Sequence, residues 1–372
     1  MGLSISQVLA PKTVVKAVNQ LNLPGTTLQR LFGWHFSGAN KMQQSGRNFA
    51  YDVVQSTRRI ATGRGAGAAS SRQATAPVKA VQGTFPRAAE TISLLDEELL
   101  NRRQIGGPSD DLDARGETFV TRQEAYLAQR FANLIEFQTA AMLRGTYSYL
   151  EDGDDLRHGY SGGVLDVDFE IPAGNKDQLN MLGAGNILAA DWATTSTDIP
   201  KHLHQINAAL VQLTGLGLAH VVLTSVGWQY LVNNTKVQAQ GGSANVVFDS
   251  LERKGAGEFS VVLRAMPWIT FHVIDYGLDV WNGSSEVFGK LIPDTHAAFF
   301  PEPSRRWTQF LEGSEIVTDG PNGTKSEQFG FHPFAFPVHD PSGWNLSAVF
   351  NGIPALYLPA AVAYGKITGG SY

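Results

Sequence analysis

The sequence predicts a mixed α+β fold whose second domain is centred on a β-sheet. Residues 122–144 and 198–215 carry apolar side chains at helical spacing, which indicates two long amphipathic helices. Residues 164–171 alternate apolar with acidic side chains, as is typical of a half-buried strand. Helices and strands are therefore mixed along the chain. Four short apolar runs that follow the second helix predict further strands: 220–223, 260–264, 269–274 and 297–300.

The first of these helices is predicted to span 122–144. Thr121 and Glu124 have the spacing of a capping box, and Gly145 can adopt the left-handed conformation that ends a helix. At about 1.5 Å per residue this helix is roughly 35 Å long, and we expect it to act as a spine for other elements. A coiled-coil seam is the alternative, but the apolar stripe spans too few heptads to favour it. The stripe consists of Leu127, Phe131, Leu134 and Ile135.

The second helix has clear boundary signals. It opens at Asp198, has Pro200 in its first turn and ends before Gly215. Ser225 is predicted to be the N-cap of a further short helix. We assign no element to the Pro-rich, aromatic tail beyond Phe331. The predicted apolar face of the helix that opens at Asp198 consists of Ile199, Leu203, Ile206, Leu210 and Leu213. That of the short helix after Ser225 consists of Trp228, Tyr230 and Leu231.

Charge divides the chain into two unlike parts. Residues 1–89 carry eleven Lys or Arg against a single acid, Asp52, whereas residues 90–372 carry eighteen bases against thirty-three acids. The chain thus has an arm of net charge +10 and a body of net charge −15. A segment so polarised is suited to lie across an acidic surface or a phosphate backbone rather than to fold on itself.

The arm contains a predicted hairpin. Residues 48–60 and 78–85 indicate two strands, and Phe49, Tyr51 and Val53 alternate toward one face of the first. Gly, Ala, Ser and Arg dominate the tip between the strands at 62–75. A two-stranded ribbon is only marginally stable in water. We therefore expect something outside the hairpin to hold it.

Two short motifs match known catalytic or nucleotide-binding patterns, but their surroundings do not fit. Gly63, Gly65 and Ala68 have the spacing of a dinucleotide-binding loop, yet a strand rather than a helix is predicted to follow. Ser161 lies in a G-x-S-x-G sequence, yet this sequence follows a charged loop and leads into a strand. We interpret both as glycine-rich turns, and we expect no enzymatic activity and no cofactor.

Metal sites are likewise not indicated. The chain has no cysteine, which excludes disulfides and thiolate ligands. His202 and His204 are two residues apart in a helix and point to different faces. The acidic clusters match no calcium-binding loop, and we interpret them as solvated loops. They comprise Glu151, Asp152, Asp154 and Asp155 in one loop, and Asp110, Asp111 and Asp113 in another.

Composition points to partners rather than to a membrane. Charged residues make up 17% of the chain, against roughly 25% in ordinary soluble domains, which indicates surface that becomes buried at interfaces. The longest apolar stretch, 352–364, is short and interrupted by Pro354 and Pro359, so we expect no membrane contact.

Several stretches carry a resemblance to a known family. Their order along the chain matches the major capsid proteins of tailed bacteriophages, and in particular the lambda-like coat protein family of the Hong Kong 97 fold. The stretches are Asp191-Trp192, Thr197-Asp198-Ile199-Pro200, residues 219–234, Ile292-Pro293-Asp294 and Phe300-Pro301.

The resemblance implies a domain order and a function. It implies an N-terminal arm, an extended β-hairpin loop, a peripheral domain with a spine helix, a sheet-centred axial domain and a return to the peripheral domain. It also implies a structural protein of the virion that assembles in the host cytoplasm as hexamers and pentamers, forming an icosahedral shell around double-stranded DNA. Scaffold, portal and possibly decoration proteins are the implied partners, with the DNA contacted non-specifically. The domain boundaries would be 1–40, 41–90, 91–154, 155–335 and 336–372.

The basic arm is the feature that the resemblance interprets. We expect its arginines to contact the acidic body of a neighbouring copy. The alternatives are an encapsulin-type compartment shell, a nucleic-acid-binding protein that uses these arginines on phosphates, and, with least support, a hydrolase using Ser161. The six arginines are Arg47, Arg58, Arg59, Arg64, Arg72 and Arg87.

Overall fold

A computed structural model describes residues 25–54, 78–95, 112–150, 164–183, 185–240, 248–255, 258–281, 286–319, 324–339 and 342–369. Its helices are α1 Thr27–Phe32, α2 Leu112–Arg144, α3 Ile199–Thr214, α4 Ser225–Val232 and α5 Thr235–Gln240. Its first nine strands are β1 Lys41–Gln44, β2 Asn48–Val54, β3 Val78–Thr84, β4 Arg87–Leu95, β5 Thr146–Leu150, β6 Val164–Asp168, β7 Lys176–Asp177, β8 His220–Leu223 and β9 Phe248–Gly255. The others are β10 Glu258–Leu263, β11 Met266–Ile274, β12 Gly277–Trp281, β13 Glu286–Lys290, β14 His296–Phe300, β15 Thr308–Asp319, β16 Thr324–His339, β17 Ser342–Leu356 and β18 Ala363–Lys366.

Two larger sheets organise the described residues into two cores. A five-stranded sheet in the order β1-β15-β16-β17-β4 packs against α2. A seven-stranded sheet in the order β7-β18-β14-β8-β11-β10-β9 packs one face against α3 and α4. Three two-stranded sheets, β2–β3, β5–β6 and β12–β13, complete the described strands. The α+β prediction with a sheet-centred domain is confirmed.

Helix α2 is the spine of the first core. It has 33 residues, so at about 1.5 Å per residue it is roughly 50 Å long rather than the predicted 35 Å. The capping box at Thr121 and Glu124 is wrong, because the helix begins at Leu112 and runs through both residues. Its end is confirmed, since Gly145 has φ +96°. The predicted stripe is also confirmed: Leu127, Phe131 and Ile135 are buried and Leu134 is partly buried.

Helix α3 follows its sequence signals closely. Asp198 caps it by accepting a 3.0 Å hydrogen bond from the backbone N–H of Lys201, and Gly215 ends it with φ +78°. Helix α4 begins one residue earlier than predicted, because the N-cap is Thr224 rather than Ser225. Thr224 precedes it, and Ser225 is its first residue, whose N–H donates to the Asp275 carboxylate at 3.0 Å.

Most predicted strands are present with small shifts of their ends. Strand β2 begins at the predicted Asn48 and β3 spans Val78–Thr84, while the hairpin tip lies outside the described residues. Strand β6 ends at Asp168 because Glu170 adopts a left-handed φ of +59°. Its buried side nevertheless continues through Phe169 and Ile171, as the alternation predicts.

The C-terminal region contains three long strands that the sequence did not indicate. Strands β15, β16 and β17 have 12, 16 and 15 residues. Pro333 and Pro337 are tolerated within β16 because, beyond residue 330, this strand pairs with β17 only and leaves one edge open. Residues 308–319 thus already belong to the sheet that covers α2.

The first core should depend strongly on Phe350. Its side chain is fully buried, 6.3 Å from Phe131 and 5.9 Å from Phe310 between ring centroids. Phe350→Ala removes these contacts and should lower the free energy of unfolding by about 3–5 kcal/mol, measured by urea denaturation. Phe336→Ala is the matched control, because Phe336 is 41% exposed in the same sheet and its loss should cost less than about 1 kcal/mol. Equal losses for the two variants would contradict this packing.

Candidate functional site

The root of the β2–β3 hairpin is anchored on the body by aromatic side chains. Phe49, Tyr51 and Val53 alternate toward the body and are 2%, 5% and 8% exposed. The ring of Phe49 lies 5.5 Å from that of Phe85, and the ring of Tyr51 lies 5.9 Å from that of Tyr357. Burial raises the pKa of Tyr51 above its ordinary value. The hairpin is therefore held from outside, as predicted, and at its root the support comes from the same chain.

Backbone contacts and a close approach fix the position of this root. The N–H of Val54 donates to the Tyr357 carbonyl at 2.8 Å, and the N–H of Phe85 donates to the Arg47 carbonyl at 2.8 Å. Gly83 lies directly under the Phe49 ring, since a Cβ there would come within 2.8 Å of that ring. The two strands thus leave the body in a defined direction.

An ion pair connects the hairpin to the segment that follows β6. Lys79 Nζ lies 2.8 Å from the Glu170 carboxylate. Glu170 is held in its left-handed conformation by its own N–H, which donates to the Asp168 carboxylate at 2.9 Å. Both side chains are partly exposed, so the pair contributes about 0–1 kcal/mol and serves mainly to orient the hairpin.

Two of the six predicted contact arginines converge on Glu315. Arg87 donates to both carboxylate oxygens of Glu315 at 2.9–3.0 Å. Partial burial opposes ionisation of Glu315, but hydrogen bonds from Arg87 and Asn351 and the charges of Arg87 and Arg47 hold its pKa below the ordinary value. Arg87 thus has an acidic partner within its own chain. Arg58, Arg59, Arg64 and Arg72 lie outside the described residues, and the intersubunit role of all six stays a prediction.

A buried carboxylate joins three parts of the molecule. Glu136, on α2, is fully buried and accepts hydrogen bonds from the backbone N–H groups of Leu28 at 2.7 Å and Gln29 at 2.8 Å. The Tyr276 hydroxyl, which follows β11, also donates to Glu136. Glu136 therefore supplies partners for the first N–H groups of α1, which the helix itself cannot satisfy. Sequence reasoning missed these hydrogen bonds of Glu136, because a single acid beside an apolar stripe has no distinguishing pattern.

A polar chain crosses three strands of the seven-stranded sheet. Ser260 Oγ lies 2.8 Å from His272 Nδ1, His272 Nε2 lies 3.0 Å from His220 Nδ1, and His220 Nε2 lies 2.7 Å from the Glu302 carboxylate. With both imidazoles neutral, the hydrogen-bond pattern assigns the direction of each bond: Ser260 donates to His272, His272 donates to His220, and His220 donates to the Glu302 carboxylate.

This series of hydrogen bonds has the connectivity of a serine nucleophile with a histidine base, but its electrostatics do not suit that role. Burial, with a smaller effect of His220, lowers the pKa of His272 to about 3. Such an imidazole is poorly matched to removing a serine proton near neutral pH. Ser260 and His272 are also only 6% and 5% exposed. The series is best understood as side-chain hydrogen bonds that connect three neighbouring strands.

The described residues contain no group of three or more His, Asp or Glu able to hold a metal ion. His202 accepts a 3.2 Å hydrogen bond from Trp192 Nε1, whereas His204 lies against Trp268, so the two histidines face different ways as predicted. Asp113 lies within α2 rather than in a loop. The Glu151–Asp155 cluster and both glycine-rich motifs lie outside the described ranges. Within those ranges, no helix is long and apolar enough to cross a membrane.

Exposed apolar side chains mark the candidate contact surfaces. Four large apolar side chains on the described strands are more than half exposed. Such exposure is unusual where charged residues are scarce, and it indicates surfaces that other molecules cover. The four most exposed are Ile316 at 71%, Leu251 at 62%, Phe288 at 60% and Val78 at 55%.

Solved structures identify the fold as that of a capsid protein. The chain is similar to a protein assigned as the capsid protein of a prophage of E. coli CFT073, with a TM-score of 0.59 and 12% identity over 99% of this chain and 100% of that chain. The capsid of cyanophage P-SCSP1u gives a TM-score of 0.48, with 11% identity over 94% and 90% of the two chains. An encapsulin of Synechococcus elongatus PCC 7942 gives 0.45, with 9% identity over 95% and 93%. The Hong Kong 97-type fold is confirmed.

The family is shown by the sequence itself. Residues 11–367 match the family described as phage major capsid protein E. The chain belongs to this family of phage capsid proteins, in agreement with the resemblance found in its sequence. A search of curated protein sequences gave no match.

The buried carboxyl groups of α2 predict a pH dependence of stability. Burial raises the pKa of Glu124 to about 7, and its Oε1 has no hydrogen-bond partner among the described residues. A group whose pKa is higher in the folded than in the unfolded state stabilises the fold at low pH and loses that effect as pH rises through the folded pKa. The free energy of unfolding should therefore fall from pH 5 to pH 8, and Glu124→Gln should reduce this fall by up to about 3 kcal/mol.

Urea denaturation at the two pH values measures this effect. Glu252→Gln is the control, because the Glu252 side chain is 67% exposed and its removal should leave the pH dependence unchanged. A Glu124→Gln variant with the full pH dependence of the parent chain would contradict the assignment.

Proposed function

We propose that this chain is the major capsid protein of a phage head, assembling as hexamers and pentamers into an icosahedral shell that encloses double-stranded DNA. The observation that carries the proposal is the anchored hairpin root. Phe49 and Tyr51 fix β2 on the body, while Val54 and Val78, where the described strands stop, are 43% and 55% exposed. A root fixed in this way suits a loop that reaches a neighbouring subunit.

The charge division supports contact between copies. The arm of net charge +10 and the body of net charge −15 attract one another between neighbouring subunits. Each exposed ion pair contributes only about 0–1 kcal/mol, so the arginines steer and align subunits more than they hold them. The pairing of Arg87 with Glu315 shows the same chemistry within one chain.

Partners follow from this role. A scaffold, a portal and a decoration protein are the proposed protein partners, and the packaged DNA is contacted without sequence preference. Assembly takes place in the host cytoplasm and the product is the virion capsid. The role is structural and uses no cofactor.

We also propose the domain division 1–40, 41–90, 91–154, 155–335 and 336–372, with one refinement. Because β15 pairs within the sheet that covers α2, the return to the peripheral domain begins near residue 308.

The hairpin tip and its arginines provide the test. Deletion of residues 62–75, or reversal of Arg58 and Arg59 to Glu, should reduce the yield of closed shells at least about tenfold, as expected when several favourable charge contacts become repulsive. The yield is measured by negative-stain microscopy and sedimentation of chain produced with its scaffold. Circular dichroism should show an unchanged fold.

A matched double variant controls for charge alone. Lys201→Glu with Lys236→Glu reverses two exposed lysines on the body helices and should assemble as the parent chain does. Shells of normal yield from the arginine variant would contradict a role of the hairpin arginines in contacts between subunits. A parent chain that stays monomeric with its scaffold would overturn the shell itself. Shells that hold an enzyme rather than DNA would favour the encapsulin-type compartment.

A further inference from the structure

The seven-stranded sheet ends at β9 in an edge that no described strand covers. Strand β9 pairs only with β10, and residues 248–254 are exposed on both faces. Leu251 lies opposite Val261, which is fully buried beneath the helices, yet Leu251 is 62% exposed. At Leu251 the helical layer thus ends one strand short of the edge.

Exposed apolar and charged side chains share this edge. Phe248, 44% exposed, stacks on Trp228 at 5.9 Å and extends the apolar surface of Leu251. The two acids of β9 have basic partners, because Lys254 Nζ lies 2.6 Å from the Glu252 carboxylate and Arg264 Nε lies 3.5 Å from that of Asp249. An edge strand with an open side among the described strands is a template for association unless a partner covers it.

The opposite end of the same sheet presents a second apolar side chain. Strand β7 forms this edge, and the turn after it exposes 43% of Leu182. Leu179, buried with a left-handed φ of +56°, anchors the turn by packing onto Gly365. A bulky residue in this conformation indicates a backbone held in one shape by its surroundings. Leu182 is therefore displayed by a rigid turn.

A ring of identical subunits requires two different surfaces on each copy, one for each neighbour. The two ends of one sheet satisfy this requirement. Copies of the same chain are the partners because related capsids are shells of many copies of one protein.

We infer that, in each ring of the shell, the β9 edge of one subunit packs against the β7 edge of the next, with Leu251 and Phe248 on Leu182. This inference rests on the proposed shell function and identifies one of its subunit contacts.

The absence of cysteine from the sequence allows a cross-linking test without background. Leu182→Cys with Leu251→Cys, assembled into shells and treated with a short bis-maleimide, should give a ladder of covalent oligomers that ends at pentamers and hexamers. Leu251→Cys with Val211→Cys is the matched control, since Val211 is a 37% exposed side chain on α3, and it should stay monomeric on the gel.

The remaining outcomes separate the inference from the function. If shells form but residues 182 and 251 do not cross-link, the inference is wrong and the proposed shell function stands. The same holds if Leu251→Cys alone gives cross-linked dimers, because β9 would then pair with itself. Failure of the parent chain to form shells overturns the proposed function. If the cysteine variant does not assemble, Leu251→Asp replaces it and should reduce shell yield at least about tenfold with an unchanged fold, whereas Val211→Asp should not. Equal yields from these two variants would also overturn the inference.

Discussion

The insertion of α1 between the two large sheets is the constraint on which the rest of the structure depends. Phe32, on α1, packs 5.2 Å from Phe300 of the seven-stranded sheet and 5.8 Å from Trp307, which precedes β15 of the five-stranded sheet. Trp34 continues this cluster to Phe310 at 5.6 Å. All five rings are essentially fully buried and belong to the first core. A short segment from the N-terminal region thus fills the seam between two sheets that consist mostly of later sequence.

The same seam determines where the basic hairpin leaves the molecule. After α1 the chain enters the five-stranded sheet as β1, parallel to β15, where Lys41 forms a 2.8 Å ion pair with Glu312. Strand β2 follows within a few residues, so the position of the hairpin root is set by α1 and β1 together with Tyr357. A marginally stable ribbon becomes a defined projection because its root is part of the first core.

Sequence reasoning succeeded where a signal is local and failed where the cause is distant. Helix α3 has a cap, a proline and a terminal glycine next to its apolar stripe, and its predicted bounds are confirmed. The first turns of α2 were missed because Thr121 and Glu124 have the spacing of a capping box although they lie inside the helix. Strand β16 was missed because its prolines argue against a strand unless one edge is known to be open.

The candidate site shows the same limit more sharply. The alternation of Phe49, Tyr51 and Val53 predicted the buried side of the hairpin, whereas the ion pair between Arg87 and Glu315 joins residues 228 positions apart. No local pattern could have indicated that Arg87 has an acidic partner within its own chain. Exposure of Leu251 is a property of the fold as well, because it depends on where the helical layer ends.

Glu136 shows why a costly group is placed in the seam. Burial raises the pKa of this carboxyl to about 7, so its ionised form is disfavoured relative to water. Yet an apolar side chain at this position would leave the N–H groups of Leu28 and Gln29 buried without an acceptor, at about 1–3 kcal/mol each. An apolar residue would also accept α1 in any register, whereas a carboxylate with three donors accepts it in one. The desolvation of Glu136 is thus offset by the precision with which α1, and through it the hairpin root, is positioned between the two sheets.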